Sequence, residues 1–190
     1  MGLRPVPRLI PCLWDGDGPE AAWERSREEL VPLLADEPGD GAVAVKLHTT
    51  RPDLSAPLVR RELPRVALVV ACGVDWIARE VAKGRRSVAW GVAEFLVLAT
   101  RAARLGAIAI EWNAEASWKR APTGPERARL EALIREATAA VARDFPALEQ
   151  WLTTYDHPTY HRTFPWRSWV GEGSPVRRIY RNRCTSPVLT

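Results

Sequence analysis

Short apolar runs alternate with longer stretches of helical period along most of the chain. The first run, Val6 to Leu13, leads into Trp14-Asp15-Gly16, and a helical pattern follows from Gly18 to Ala35. A second strand is expected over Ala42–Leu47, ending at His48, with a short helix over Ser55–Glu62. The third strand, Val66–Cys72, is continuously apolar and leads to Gly73-Val74-Asp75-Trp76. An Arg/Lys-rich connection precedes a largely apolar helix over Val88–Arg104, in which Val92, Phe95, Leu96, Ala99, Ala102 and Ala103 recur at helical spacing. Gly106 ends that helix, and a fourth strand is expected over Ala107–Trp112. The helix over Pro125–Asp144 places Leu130, Leu133, Ile134, Ala137 and Val141 on one face, and a fifth strand over Gln150–Thr154 leads to Tyr155-Asp156-His157.

Buried strands separated by helices imply parallel pairing, with helices covering the sheet. Two helix starts carry the same sequence, Asp17-Gly18-Pro19-Glu20 and Thr123-Gly124-Pro125-Glu126. Each predicts a capping box with proline in the first turn. The first strand-to-helix turn has neither a GxGxxG spacing nor a P-loop, which argues against a nucleotide-binding open sheet. Nearly every strand instead ends in polar or aromatic residues, as when several strand ends line one site. The expected fold is therefore α/β, a TIM-barrel-like (β/α) arrangement of five to six units. A full barrel needs about 250 residues, so with 190 residues this one is expected to be incomplete. Its exposed strand edges would call for a homo-oligomeric partner.

Charge sharpens the picture at one end. The chain carries 27 basic and 23 acidic residues, yet no acid lies beyond Glu172, while Arg177, Arg178, Arg181 and Arg183 cluster after Pro175. The excess belongs to a short segment and not to a folded basic face, which argues against nucleic-acid binding. The expected organisation is a barrel domain over 1–175, then a basic tail or altered terminus over 176–190, with a sixth strand near Val176–Tyr180. No apolar stretch reads as a signal peptide or membrane span, so a cytoplasmic protein without membrane contact is expected. Cys12 and Cys72 read as small buried hydrophobes. Nine tryptophans against three phenylalanines suggest either ligand-facing aromatic surfaces or tryptophan-rich packing.

In a β/α barrel the chemistry sits at the carboxyl ends of the strands. Those positions hold Trp14 and Asp15, His48, Asp75 and Trp76, then Glu111, Asn113 and Glu115, and finally Tyr155, Asp156 and His157. On the fourth strand, alternation puts Ala107, Ala109, Glu111, Asn113 and Glu115 on one face and Ile108, Ile110 and Trp112 on the other. The tract Tyr155-Asp-His-Pro-Thr-Tyr-His161 holds two histidines and an aspartate, but Pro158 prevents their alignment on a helix, so neither metal nor cofactor is expected. Serine-hydrolase elbows, HExxH helices and activated-cysteine signatures are absent from the sequence.

The tract Ile110-Glu-Trp-Asn-Ala-Glu-Ala-Ser-Trp118, with Asp15 closing the first strand, resembles the layout of family 25 lysozyme-type glycosidase barrels. In that family an aspartate ends the first strand and an Asp-x-Glu pair ends the fourth. The resemblance implies a glycoside hydrolase acting on a polysaccharide such as cell-wall glycan. Glu115 would be its general acid, with Asp15, Asp75 or Asp156 supplying the second carboxylate. Glu111, Asn113, Trp14, Trp76, His48, Tyr155, Asp156 and His157 would contact the carbohydrate ligand. Trp112 and Trp118 are additional stacking candidates, with Trp112 expected to point away from Glu111. Asn113 departs from the pattern by replacing the expected aspartate. The alternative from another class is a non-catalytic, degenerate barrel, phage-derived, that binds glycan or serves structurally.

Overall fold

The computed structural model describes residues 12–14, 18–35, 43–49, 51–114, 124–155 and 164–182, excluding the side chains of 14, 155 and 178–182. Among these, six parallel strands form one sheet: β1 (Cys12–Trp14), β2 (Ala44–His48), β3 (Ala67–Gly73), β4 (Ala109–Asn113), β5 (Glu149–Tyr155) and β6 (Val176–Asn182). Six helices accompany them: α1 (Pro19–Leu34), α2 (Pro52–Glu62), α3 (Asp75–Ala82), α4 (Val88–Arg104), α5 (Gly124–Asp144) and α6 (Trp166–Val170). The strand order is β1-β2-β3-β4-β5-β6. A doubly wound sheet reverses its order at a switch point. This sheet does not, and the fold is an incomplete α/β barrel-like one, as the alternation of runs and helices predicts.

Two compact units make up the chain, one of Met1–Cys72 with Thr100–Ile110, the other of Gly73–Ala99 with Glu111–Thr190. The first unit is organised by strand alternation. Leu13, Val45, Leu47 and Leu68 pack with Trp23, Leu30 and Leu34 of α1 and with Ala56 and Val59 of α2. Register pairs Cys12 with Lys46 and Trp14 with His48 on β1 and β2, then Lys46 with Val69 and His48 with Ala71 on β2 and β3. Lys46 and His48 therefore occupy the sheet face away from α1 and α2. Cys12 shares that face and is exposed, contrary to the expectation of a buried thiol, because β1 stands at the end of the strand order. Cys72 is buried as expected.

Trp23 is fully buried, and its indole N–H reaches the Glu62 carboxylate at 3.2 Å. That hydrogen bond, then Arg61 and Arg27, holds the Glu62 carboxyl below the usual glutamate range against the opposing effect of desolvation. Helix α1 begins with Gly18 as its N-cap at φ 100°, without a side-chain cap, and with Pro19 in its first turn. The expected capping box is therefore not used at α1. Starting the helix at Pro19 moves Glu20 one position too early for the reciprocal bond.

The second unit packs helix on helix behind its strands. Helix α4 is bounded at both ends: Ser87 Oγ accepts the Trp90 N–H at 3.1 Å, capping the start. At the other end Gly106 takes φ 62°, while the Ala107 N–H bonds to Ala102 O and the Gly106 N–H to Ala103 O. This is a Schellman stop. Ile108 then bends, and β4 begins only at Ala109, two residues later than expected. Ala107 consequently packs with the helix-side core of the first unit.

Helix α3 was not expected from sequence, where the Arg/Lys-rich stretch before Val88 reads as a connection. Its apolar face consists of Ile77, Ala78, Val81 and Ala82, all buried. Gly84 ends it with the same bonding pattern, Arg85 N–H to Glu80 O and Gly84 N–H to Val81 O. Arg129 of α5 donates to the carbonyls of Val81 and Ala82, satisfying the end of α3 from a distant helix. Gly91 lies where α3, α4 and α5 meet: a Cβ there would stand 2.5 Å from Leu133 Cδ1 and 3.0 Å from Val81 Cγ2.

Candidate functional site

The fourth strand is buried on both faces, and its two faces differ in chemistry. Trp112 lies 4.6 Å, ring to ring, from Phe95 of α4. Its indole N–H donates to Gln150 Oε1 at 3.0 Å, and Gln150 Nε2 donates to the Thr138 carbonyl of α5 at 2.9 Å. Trp112 and Gln150 thus belong to the helix-facing layer. Trp112 is a core residue and not a stacking platform, as its position opposite Glu111 predicts.

Alternation then assigns Glu111 and Asn113 to the face away from the helices, where Glu111 is 2% exposed and Asn113 7%. On β5 the same face carries Glu149, Trp151 and Thr153, since Trp151 Nε1 donates to Glu149 Oε2 at 2.9 Å while Gln150 turns the other way. The Ala114 N–H bonds to the Thr153 carbonyl at 3.0 Å, which sets Asn113 beside Thr153 in the parallel ladder. The Thr153 hydroxyl is buried and has no hydrogen-bond partner among the described residues.

The end of β3 joins the same region through backbone geometry. The Val74 N–H donates to the Asn113 carbonyl at 3.1 Å, so Asp75 begins α3 next to the carboxyl end of β4. Asp75 is half-buried in the first helical turn, where exposed backbone N–H groups favour an anion. Trp76 follows it and is 45% exposed. The backbone therefore sets the start of α3, with Asp75 and Trp76, next to the end of β4 that carries Glu111 and Asn113, and it pairs Asn113 with Thr153, which the sequence reading passed over. The signal for Thr153 was present in the alternation of β5, but a threonine in a strand carries no chemical flag of its own.

His48 ends β2 in the first unit and is half-buried. Trp14 and Tyr155 end β1 and β5, with their side chains outside the described residues. Asp15, Glu115, Trp118, Asp156 and His157 lie outside the described residues altogether. Among the described residues, no three His, Cys, Asp or Glu side chains gather as a metal ion would require. Also among them, no helix is long and apolar enough to cross a membrane.

Among the described residues, tryptophan serves the core more often than the surface. Trp23, Trp112, Trp151 and Trp169 are fully buried, and Trp76 is the exposed member among those whose side chains are described. No protein-family model, no curated protein and no solved structure matches the chain.

Proposed function

We propose that the chain is a glycan-directed barrel that hydrolyses a polysaccharide such as cell-wall glycan, with Glu115 as general acid. The observation that carries this reading is the buried pair Glu111 and Asn113, set beside Thr153 at the carboxyl end of β4 on the face away from the helices. Burying a carboxylate is costly, and strand carboxyl ends are where β/α folds collect their chemistry. Glycoside hydrolysis needs two carboxyls flanking the scissile bond, one to protonate the leaving oxygen and one to stabilise positive charge or activate water. Glu115 follows Asn113 by two residues and takes the first role; Asp75 and Asp15 are the candidates for the second. Asn113 and Glu111 orient the sugar, the amide of Asn113 being suited to an N-acetyl group.

The test is release of reducing ends from purified cell-wall glycan. Glu115→Gln is expected to abolish turnover while leaving glycan binding intact, and Glu111→Gln to weaken both. Unchanged turnover in Glu115→Gln would sink the assignment of the acid. A second reading is favoured by Asn113 itself, which stands where the resembling family carries an aspartate: a barrel that binds glycan without cleaving it. That reading expects no turnover in the parent chain, with binding lost when Trp76 is replaced.

A further inference from the structure

The exposed Trp76 does not stand alone. Its ring meets that of Trp90 edge to face, with centroids 5.6 Å apart, joining the first turn of α3 to the first turn of α4. The Arg86 guanidinium sits 5.4 Å from the centroid of the Trp90 ring. Around this pair the segment from α3 to α4 exposes Arg79, Lys83, Arg85 and Arg86. The acids nearby are few and partly occupied: Glu80 pairs with Arg85 at 3.3 Å, while Asp75 and Glu94 are half-buried. Two aromatic rings with a guanidinium stacked on one of them form a surface that is apolar in the middle and cationic at its rim. Trp76 is the most exposed of the described tryptophans, whereas four others are fully buried.

We propose that Trp76, Trp90 and Arg86 form a binding platform for an acidic polysaccharide, one built of hexuronate or similarly charged sugars. The inference rests on the glycan reading above and adds the charge of the ligand. A sugar ring presents an apolar face of C–H groups that stacks on indole, and a ring carboxylate meets the guanidinium and lysine charges at the rim. Arg86 gains from both neighbours, through its ring contact and through the ligand's charge. The platform begins two residues after Val74, whose N–H bonds to the Asn113 carbonyl at the end of β4. A single-stranded nucleic acid would also stack and carry charge, but it needs a basic groove that tracks several phosphates. The chain up to Pro175 balances its 23 acids with as many bases, and the remaining arginines lie after Pro175, on and beyond β6.

The experiment measures tryptophan fluorescence and affinity electrophoresis of the full chain with polygalacturonate, with its fully methyl-esterified form, with purified cell-wall glycan and with polyuridylate RNA. Polygalacturonate is expected to bind, weakening with added salt, and the neutral ester to bind about tenfold more weakly. Trp76→Ala is expected to weaken polygalacturonate binding about fivefold, and Arg86→Gln about threefold. Both replaced side chains are partly or wholly exposed, and circular dichroism checks that each variant folds. If acid and ester bind equally and Arg86→Gln changes nothing, the charge inference is overturned while the glycan reading stands. If RNA binds and neither polysaccharide does, with loss on Trp76→Ala, the platform serves nucleic acid and the inference is wrong. If neither polysaccharide nor cell-wall glycan binds, the glycan reading falls, and this inference with it.

Discussion

Gly91 is the position at which the packing of the second unit is most exposed to test. Alanine there removes a helix-interior glycine, which by propensity alone stabilises by about 1 kcal/mol. The structure opposes that gain. The new methyl would stand 2.5 Å from Leu133 Cδ1, 3.0 Å from Val81 Cγ2 and 3.4 Å from Ile77 Cγ2. All three neighbours are essentially inaccessible to solvent, so none can swing outward. Overpacking a closed site costs about 1–3 kcal/mol, and the expected balance for Gly91→Ala is a loss of about 1 kcal/mol. Gly91→Val, with two further methyls, should lose about 3 kcal/mol. For a chain of this size each kcal/mol lowers the melting temperature by about 2–4 °C. Urea denaturation of the parent, Gly91→Ala, Leu133→Ala and the double variant supplies the decisive comparison. Leu133→Ala alone should cost about 2–5 kcal/mol by opening a cavity. In the double variant the methyl enters the vacated space, so the two losses should fall short of additivity by at least about 1 kcal/mol. A Gly91→Ala variant more stable than the parent, with additive losses in the double, would refute the three-helix contact.

Other consequences follow from single contacts. Gln150→Leu removes the acceptor of Trp112 and the donor to Thr138 O, stranding a buried indole N–H. It is expected to cost about 2–4 kcal/mol, read from the urea midpoint, and a shift indistinguishable from zero would contradict the relay. Glu62 offers a pH test. Its folded carboxyl lies below the ordinary glutamate value, so its contribution is present above the unfolded pKa and lost as pH falls through the folded one. Carboxyl carbon-13 titration should find the Glu62 transition moved upward in Trp23→Phe, because the largest cause of the lowering is the Trp23 N–H. No movement would assign the lowering to Arg61 and Arg27 instead.

Much of the fold was legible because the chain marks its own boundaries. The reading of α4 as Val88–Arg104 coincides with the observed helix, and Ser87 and Gly106 explain why: a cap and a Schellman glycine frame an apolar helical pattern. Parallel pairing was legible in β3, where six apolar residues in a row leave no solvent face. Helix α3 was not. It begins at Asp75 with Val74 as its N-cap and no side-chain cap bond, and it runs for eight residues. A helix that short is marginal by itself, and what holds it, Arg129 on its last carbonyls and the packing of α5, comes from residues far along the chain. The site was legible in part. Alternation placed Glu111 and Asn113 away from Trp112, and the Phe95 and Gln150 contacts of Trp112 agree. The tryptophan count could not say which rings face water, since burial depends on strand and helix faces that composition does not encode.

The unreversed strand order bears on how the protein is made. A sheet whose order changes direction must at that point pair its new strand with one made well before its immediate predecessor. Here each strand hydrogen-bonds to the one translated immediately before it, β2 to β1, β3 to β2 and β6 to β5. A chain leaving the ribosome can therefore lengthen its sheet one strand at a time, each arriving segment finding its neighbour already in place. Each addition closes only the crossover just made, β2 to β3 through α2 and β4 to β5 through α5, at an entropic cost that grows slowly with length, and the nascent chain need not wait for sequence not yet synthesised before forming its next ladder.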